Sequence, residues 1–396
     1  MNTLANYSFA GRRAVVRVDF NVPLDADLRI TDDTRIRAAT PTIKKILGDG
    51  GSVVLLSHLG RPKGGYEKKF TLQALVLRLQ QEYGREVLWG GDVLSDEATR
   101  LSQSLQPGQV LLLDNLRFHK EEEAGDEGFA KQLARLGDVY VNDAFGAAHR
   151  RHASTAVMAH DFAPQDRLAG LLMQAELDNA QKVLDNPQRP FTAIMGGAKI
   201  SDKILLIERL LDKVDNLLIG GGMAYTFAVA EGGSVGKSLL EADRVELAKQ
   251  LIKKAKEKGV NLVLPADSLT ADRFANDADV DVAPNLAIPA DRMGLDLGPA
   301  AREQFAAIIR TSKTILWNGP MGVFEMSNFS LGTEYVARAI AEATAAGAYS
   351  LIGGGDSAAA VQQLGYADRV SYISTGGGAL LEFMEGKELP GVAALS

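Results

Sequence analysis

Cysteine is absent from the 396 residues, which excludes a disulfide framework, a thiolate nucleophile and a cysteine-ligated metal. No apolar run reaches bilayer-spanning length, and the stretch from Met1 to Arg13 has no apolar signal-like segment. Low-complexity tracts are missing as well. Positive charge is not in surplus: the formal net charge is −7, which argues against nucleic-acid or membrane partners but leaves room for a local basic pocket. A soluble cytoplasmic protein is the expectation, with an apolar share of 46% suited to a packed core. The length is more than one core usually fills, so two domains are expected.

Glycine, by contrast, is plentiful, with 40 residues gathered at particular places. The run Tyr349-Ser350-Leu351-Ile352 stops at Gly353-Gly354-Gly355, followed by Asp356, Ser357 and an Ala-rich helical pattern. Glycines at such a turn let backbone N–H groups approach a phosphate, and the helix adds its positive end. An Asp there helps an anion only through a cation, so Asp356 suggests Mg²⁺ carried by a nucleotide. The turn recurs: Thr192–Met195 runs into Gly196-Gly197, Asn216–Ile219 into Gly220-Gly221-Gly222, and Ser371–Thr375 into Gly376-Gly377-Gly378. Strands that each close on glycines and open helices describe the carboxyl rim of a parallel sheet, where ligands bind.

The first half shows a different rim. Strand patterns at Ala14–Val18, Ser52–Leu56, Val110–Leu113 and Val139–Val141 each deliver a polar turn. These turns carry Asp19-Phe20-Asn21, His58-Leu59-Gly60-Arg61, Asn115-Leu116-Arg117 and Asn142 through Arg150, while Arg35 opens a helix after the first. Arg35, His58, Arg61, Arg117 and Arg150 can therefore converge on a small, multiply anionic ligand. Taken one at a time, each would read as a solvated charge.

Between the halves, Leu171–Leu184 has apolar residues at Met173, Leu177, Ala180 and Leu184, which predicts an inter-domain helix between Gly170 and Pro187. Beyond it, Lys199 and Lys203 follow Gly196-Gly197 at a spacing of four, which predicts both lysines on one helical turn, facing a polyphosphate. Glu231 to Ser238 imitates a Walker A loop but starts with Glu231 and follows a helical stretch, so a P-loop is not expected. Residues 273–282, with Asp277, Asp279 and Asp281, read as a solvated hairpin. The predicted architecture is α/β, with two doubly wound parallel-sheet (Rossmann-like) domains facing each other across a cleft.

Arg17-Val18-Asp19-Phe20-Asn21-Val22-Pro23, Ser57-His58-Leu59-Gly60-Arg61-Pro62 and Trp317-Asn318-Gly319-Pro320-Met321-Gly322-Val323-Phe324-Glu325 resemble the hallmark motifs of the phosphoglycerate kinases, in the right order. The resemblance implies reversible, Mg²⁺-dependent phosphoryl transfer from 1,3-bisphosphoglycerate to ADP, giving 3-phosphoglycerate and ATP in glycolysis. It implies an N-terminal triose-phosphate domain (1–169), a hinge helix (170–186) and a nucleotide domain (187–379), with the tail 380–396 returning to the first domain. Asp19, Phe20, Asn21, Arg35, His58, Leu59, Gly60, Arg61, Arg117 and Arg150 then bind the triose. Gly197, Lys203, Gly220, Gly294, Leu295, Asn318, Glu325, Gly354, Gly355, Asp356 and Ser357 bind Mg·ADP or Mg·ATP, with Asp356 facing the metal. Arg35, Lys199 and the amides of Gly376 and Gly377 are the implied catalytic groups, in a monomer that closes on its substrates. Asp114, where the family usually has Glu, and Ser357, where Thr is common, depart from the pattern.

Two other classes fit less well. A nicotinamide-dependent dehydrogenase would need a G-x-G-x-x-G in context, and none occurs. A two-lobed solute-binding protein has no need of Lys199, Lys203 and Asp356 together.

Overall fold

The computed structural model describes residues 2–396, and the chain divides into two compact units. Unit 1 runs to Asp178 and takes back Gly386–Ser396; unit 2 is Asn179–Glu385. Each is built on a parallel sheet. Strands such as Ser52–Leu56 and Phe191–Met195 are buried at every position, as a sheet covered on both faces requires.

In unit 1 seven strands lie in the order Asn2–Thr3, Arg167–Ala169, Val139–Asn142, Arg13–Arg17, Ser52–Leu56, Val110–Leu112, Val87–Trp89, all parallel. The chain winds outward in both directions from Arg13–Arg17, so the crevice beyond that strand's carboxyl end is the switch point where ligands settle. Asp19, Phe20 and Asn21 leave the sheet there.

The main sheet of unit 2 has the order Asn261–Val263, Asn216–Ile219, Phe191–Met195, Thr314–Asn318, Tyr349–Gly353, Tyr372–Ile373, again all parallel. The four strands that end on glycines all belong to it. Its switch point lies between Phe191–Met195 and Thr314–Asn318. A three-stranded antiparallel sheet, Val280–Pro284, Asp267–Ala271 and Met293–Leu297, was not anticipated beyond its acidic hairpin. Glu231–Ser238 follows the helix Met223–Ala230 and forms a turn with a two-residue strand at Ser234–Val235, in keeping with the rejection of a P-loop.

The helix Leu171–Leu184 has the bounds its spacing predicts, and the division between units falls inside it. Its first amides are satisfied from elsewhere in unit 1. Thr42 Oγ1 accepts from Leu171 N at 2.8 Å, and Asp143 Oδ1 accepts from Leu172 N and Met173 N at 2.9 and 3.1 Å. Gly170 is needed for this: a Cβ there would sit 2.0 Å from Asp143 Oδ1. Burial pushes the Asp143 carboxyl up to about 6, and Oδ2 has no hydrogen-bond partner, leaving a place for the proton. Because the folded state binds the extra proton, stability contributed at this site is full below pH ~4 and falls as pH rises through about 6, by up to roughly 3 kcal/mol. Asp143→Asn, which keeps an acceptor at Oδ1, is expected to remove that slope. Urea unfolding of both proteins between pH 4 and 8 checks it, and parallel profiles would refute the assignment.

The C-terminal stretch returns to unit 1. Gly391 N donates to Ala148 O at 2.8 Å, Asn142 Nδ2 donates to Gly391 O at 3.3 Å, and Leu395 is fully buried.

Candidate active site

In unit 1 the strand-end turns are tied to one another. Asp19 Oδ1 accepts from Arg35 Nη1 at 2.8 Å and from Asn21 N at 3.2 Å, and Asn21 Oδ1 accepts from Gly60 N at 2.8 Å. Asn115 clamps the His58–Arg61 turn: its Oδ1 accepts from Leu59 N and Arg117 N, and its Nδ2 donates to Leu59 O. Arg117 is buried and donates to Gly60 O at 3.0 Å, with Glu123 3.4 Å from its Nε. Phe20 and Leu59 are core residues, so what they present to a ligand is backbone.

These groups feel one another's charge. Burial pushes the His58 imidazole well below 6.5, against the pull of Asp19 and with the push of Arg17, Arg117 and Arg35. Burial opposes the charge on Asp19, but His58, Arg35 and Arg17 outweigh it and hold the carboxyl below its usual range. Burial likewise lowers Arg117, which feels Arg17 and Arg150. Arg35, His58, Arg117 and Arg150 therefore converge. Arg61 is exposed and enters none of these contacts.

Two members of the cluster escaped the sequence reading. Arg17 is completely buried; it donates through Nε to Ser154 Oγ at 2.7 Å, and its Nη2 lies 3.1 Å from His58 Nδ1. Ser154 in turn bonds the buried Glu122 through both its amide and its hydroxyl. The signal was an Arg inside an apolar strand. His152 is buried and pushed down to about 4, first by burial and then by Arg17, Arg117 and Arg150.

In unit 2 a cavity of about 530 Å³ opens at the switch point, walled by Gly197, Gly221, Gly294, Leu295, Glu325 and Asp356 among others. Its floor near Gly294 is Tyr225, whose Oη donates to Ser268 Oγ; a Cβ on Gly294 would lie 1.9 Å from that Oη, so a side chain there would close the space. Tyr225, Lys237, Phe274 and Met321 also line the cavity and were not foreseen.

Beside it, Lys203 Nζ donates to Asn318 Oδ1, and Ser357 Oγ accepts from Gly319 N at 2.6 Å. The Ser357 hydroxyl thus ties down the Asn318–Pro320 turn. Asn318 Nδ2 is buried without a hydrogen-bond partner and lies 3.1 Å from where a Gly354 Cβ would stand, a donor left over at the glycine turn. Burial lowers the Lys203 ammonium, against the pull of Asp202, Asp356 and Glu385. Gly220 packs against Met321 and Gly355 opens the helix Gly355–Gln363. Gly376 N donates to Ser374 Oγ at 3.0 Å, and Gly377 caps the helix Gly378–Met384.

The two lysines do not share a helical turn. Lys199 is extended (φ −128°, ψ 136°), a 3₁₀ turn occupies Ile200–Asp202, and the α-helix starts only at Ile204. Glu241 accepts from Ile200 N at 2.6 Å and from Ser201 N at 3.3 Å and so holds the 3₁₀ turn in place. Lys199 is exposed and Lys203 half-buried.

Among the described residues no group of three His, Cys, Asp or Glu is placed to hold a metal ion. Asp356, at the cavity wall, suits a Mg²⁺ ion whose other ligands are phosphates and water.

The family model described as "Phosphoglycerate kinase" matches residues 4–387. The chain is 52% identical over 416 residues to "Phosphoglycerate kinase" of Porphyromonas gingivalis, covering 99% of each protein. It is 54% identical over 395 residues to "Phosphoglycerate kinase 3, cytosolic" of Arabidopsis thaliana, covering 100% of this chain and 98% of that one. Among solved structures, phosphoglycerate kinase from Coxiella burnetii superposes with a TM-score of 0.88 at 41% identity, covering 99% of this chain and 98% of the other.

Proposed function

The chain belongs to the phosphoglycerate kinase family, and from that premise we propose a division of labour between its two units. The reaction is the glycolytic one of that family: phosphoryl transfer between 1,3-bisphosphoglycerate and ADP, giving 3-phosphoglycerate and ATP. Unit 1 binds the triose through Asp19, Asn21, Arg35, His58, Arg61, Arg117 and Arg150. Planar guanidinium forks match its carboxylate and phosphate oxygens. Unit 2 binds the nucleotide: the base against Gly294 and Leu295, the ribose hydroxyls at Glu325, the phosphates at Lys203, Asn318 and the Gly354–Ser357 turn. The cavity at the unit 2 switch point, walled by glycines and by the carboxylates Glu325 and Asp356, is the observation that carries this reading.

Mg²⁺ held by Asp356 and the phosphates would neutralise charge on the transferring group. The chain's own contribution is alignment and positive charge, since the transferring phosphoryl spreads its charge over equatorial oxygens. Arg35 and Lys199 supply cations, and the amides of Gly376 and Gly377 supply donors, Gly376 after releasing Ser374. No covalent intermediate on the enzyme is needed. Because the groups belong to different units, a hinge motion brings them together for transfer and shields the acyl phosphate from water. Cytoplasmic location and a monomeric state complete the proposal; the Arabidopsis relative's name includes "cytosolic".

A coupled assay of ATP formation, with and without Mg²⁺, tests the reading. Asp356→Asn is expected to raise the Mg²⁺ concentration for half-maximal rate about tenfold, the loss of one charged contact. An unchanged Mg²⁺ requirement removes Asp356 from the metal's surroundings.

A further inference from the structure

Unit 1 contains another cavity, of about 540 Å³, at the carboxyl ends of the edge strand Val87–Trp89 and its neighbour Val110–Leu112. Its walls divide by chemistry. Tyr66, Trp89 and Phe118 form an aromatic side, in which the Tyr66 and Phe118 rings meet at 60° with centroids 5.3 Å apart. Tyr66 is 66% exposed, so core packing does not account for its ring. Asp92 and Asp114 form an acidic side, and the lining includes neither Lys nor Arg.

The two carboxylates differ. Asp114 is buried and accepts from Leu72 N, Asn115 N and Thr71 Oγ1. Asp92 is exposed; Oδ1 accepts from Leu94 N at 2.7 Å, and Oδ2 lies 2.8 Å from His119 Nε2. Burial raises the Asp114 carboxyl, and Asp92 adds to the rise, so the two charges are felt across the cavity.

We propose that this cavity binds a compact organic ammonium ion, its charge against Asp92 and its alkyl groups against Tyr66, Trp89 and Phe118. Aromatic faces attract such cations. An anion meets two carboxylates, and a bare metal ion lacks a ligand set, since Asp92, Asp114 and His119 are not placed to hold one together. His119 makes the site responsive to pH. The bond to Asp92 holds its imidazolium above the usual 6.5, helped by the charge of Glu121 and against burial. That imidazolium competes for Asp92, so binding strengthens as pH rises through the His119 value.

Choline serves as the probe, and 3,3-dimethylbutan-1-ol, its neutral isostere, as the control. Ligand-detected NMR titration of the full chain at constant ionic strength is expected to show saturable choline binding, at least roughly fivefold tighter than the neutral alcohol. Asp92→Asn and Tyr66→Ala, both at exposed side chains, are each expected to weaken it by roughly fivefold, with circular dichroism unchanged. Equal binding of the alcohol, choline binding indifferent to both substitutions, or no saturable choline signal would overturn the proposal.

Discussion

Arg35→Ala is expected to lower kcat by about 10²- to 10³-fold, the usual cost of removing one donor aimed at developing charge. The dissociation constant for ADP should stay within about twofold, because the cavity at the unit 2 switch point owes nothing to this residue. The split follows from how Arg35 is held. Asp19 grips one guanidinium nitrogen at 2.8 Å with its own side chain only 11% exposed, while the arginine side chain stays 37% exposed and has donors to offer. Arg35→Lys should restore only part of the rate, since the charge returns without the fork. Steady-state kinetics beside ADP titration decide the matter. Unchanged turnover would take Arg35 out of the mechanism, and an equal loss in ADP affinity would point to general damage.

Arg17→Met should cost about 3–5 kcal/mol of unit 1 stability, the range for breaking a buried ionic arrangement from one side. The side chain is wholly buried and touches Ser154, His58 and the carbonyl of Val18. Its charge counteracts the burial that raises Glu122, so without it Glu122 must take up a proton or remain an uncompensated anion. Adding Glu122→Gln should recover a good part of the loss, because the second substitution removes the stranded charge. With two units more than one unfolding transition can occur, so probes confined to unit 1 are needed, such as Trp89 fluorescence in a Trp317→Phe background. A loss under about 1 kcal/mol would mean that solvent reaches the arginine after all.

These two residues mark how far the sequence could be read. Arg35 was legible, since a polar turn after an apolar strand in a parallel sheet has one place to go, and Asp19-Phe20-Asn21 goes there. The glycine-closed strands were legible for the same reason, and all of them share one sheet. Arg17 was not, because its partner Ser154 is 137 residues away and nothing local predicts that pairing. Distance also hid the lysines. Their spacing of four suggested a shared helical turn, but Lys199 is extended, and Glu241, 41 residues on from Ile200, holds the 3₁₀ turn that separates them. Tyr225 beneath Gly294 is a third case: the strand-end glycine was visible, and the ring that makes it necessary lies on a helix far upstream.

The path of the last residues has a consequence for synthesis. Unit 1 includes Gly386–Ser396, which follow all of unit 2 in the chain. A nascent polypeptide therefore carries nearly all of unit 1, with Ala148 and Asn142 still lacking Gly391, throughout the time that unit 2 is being made. Domains of most proteins mature in the order in which they leave the ribosome. Here the second unit has its full set of residues first, and the earlier one is finished by the later end of the chain.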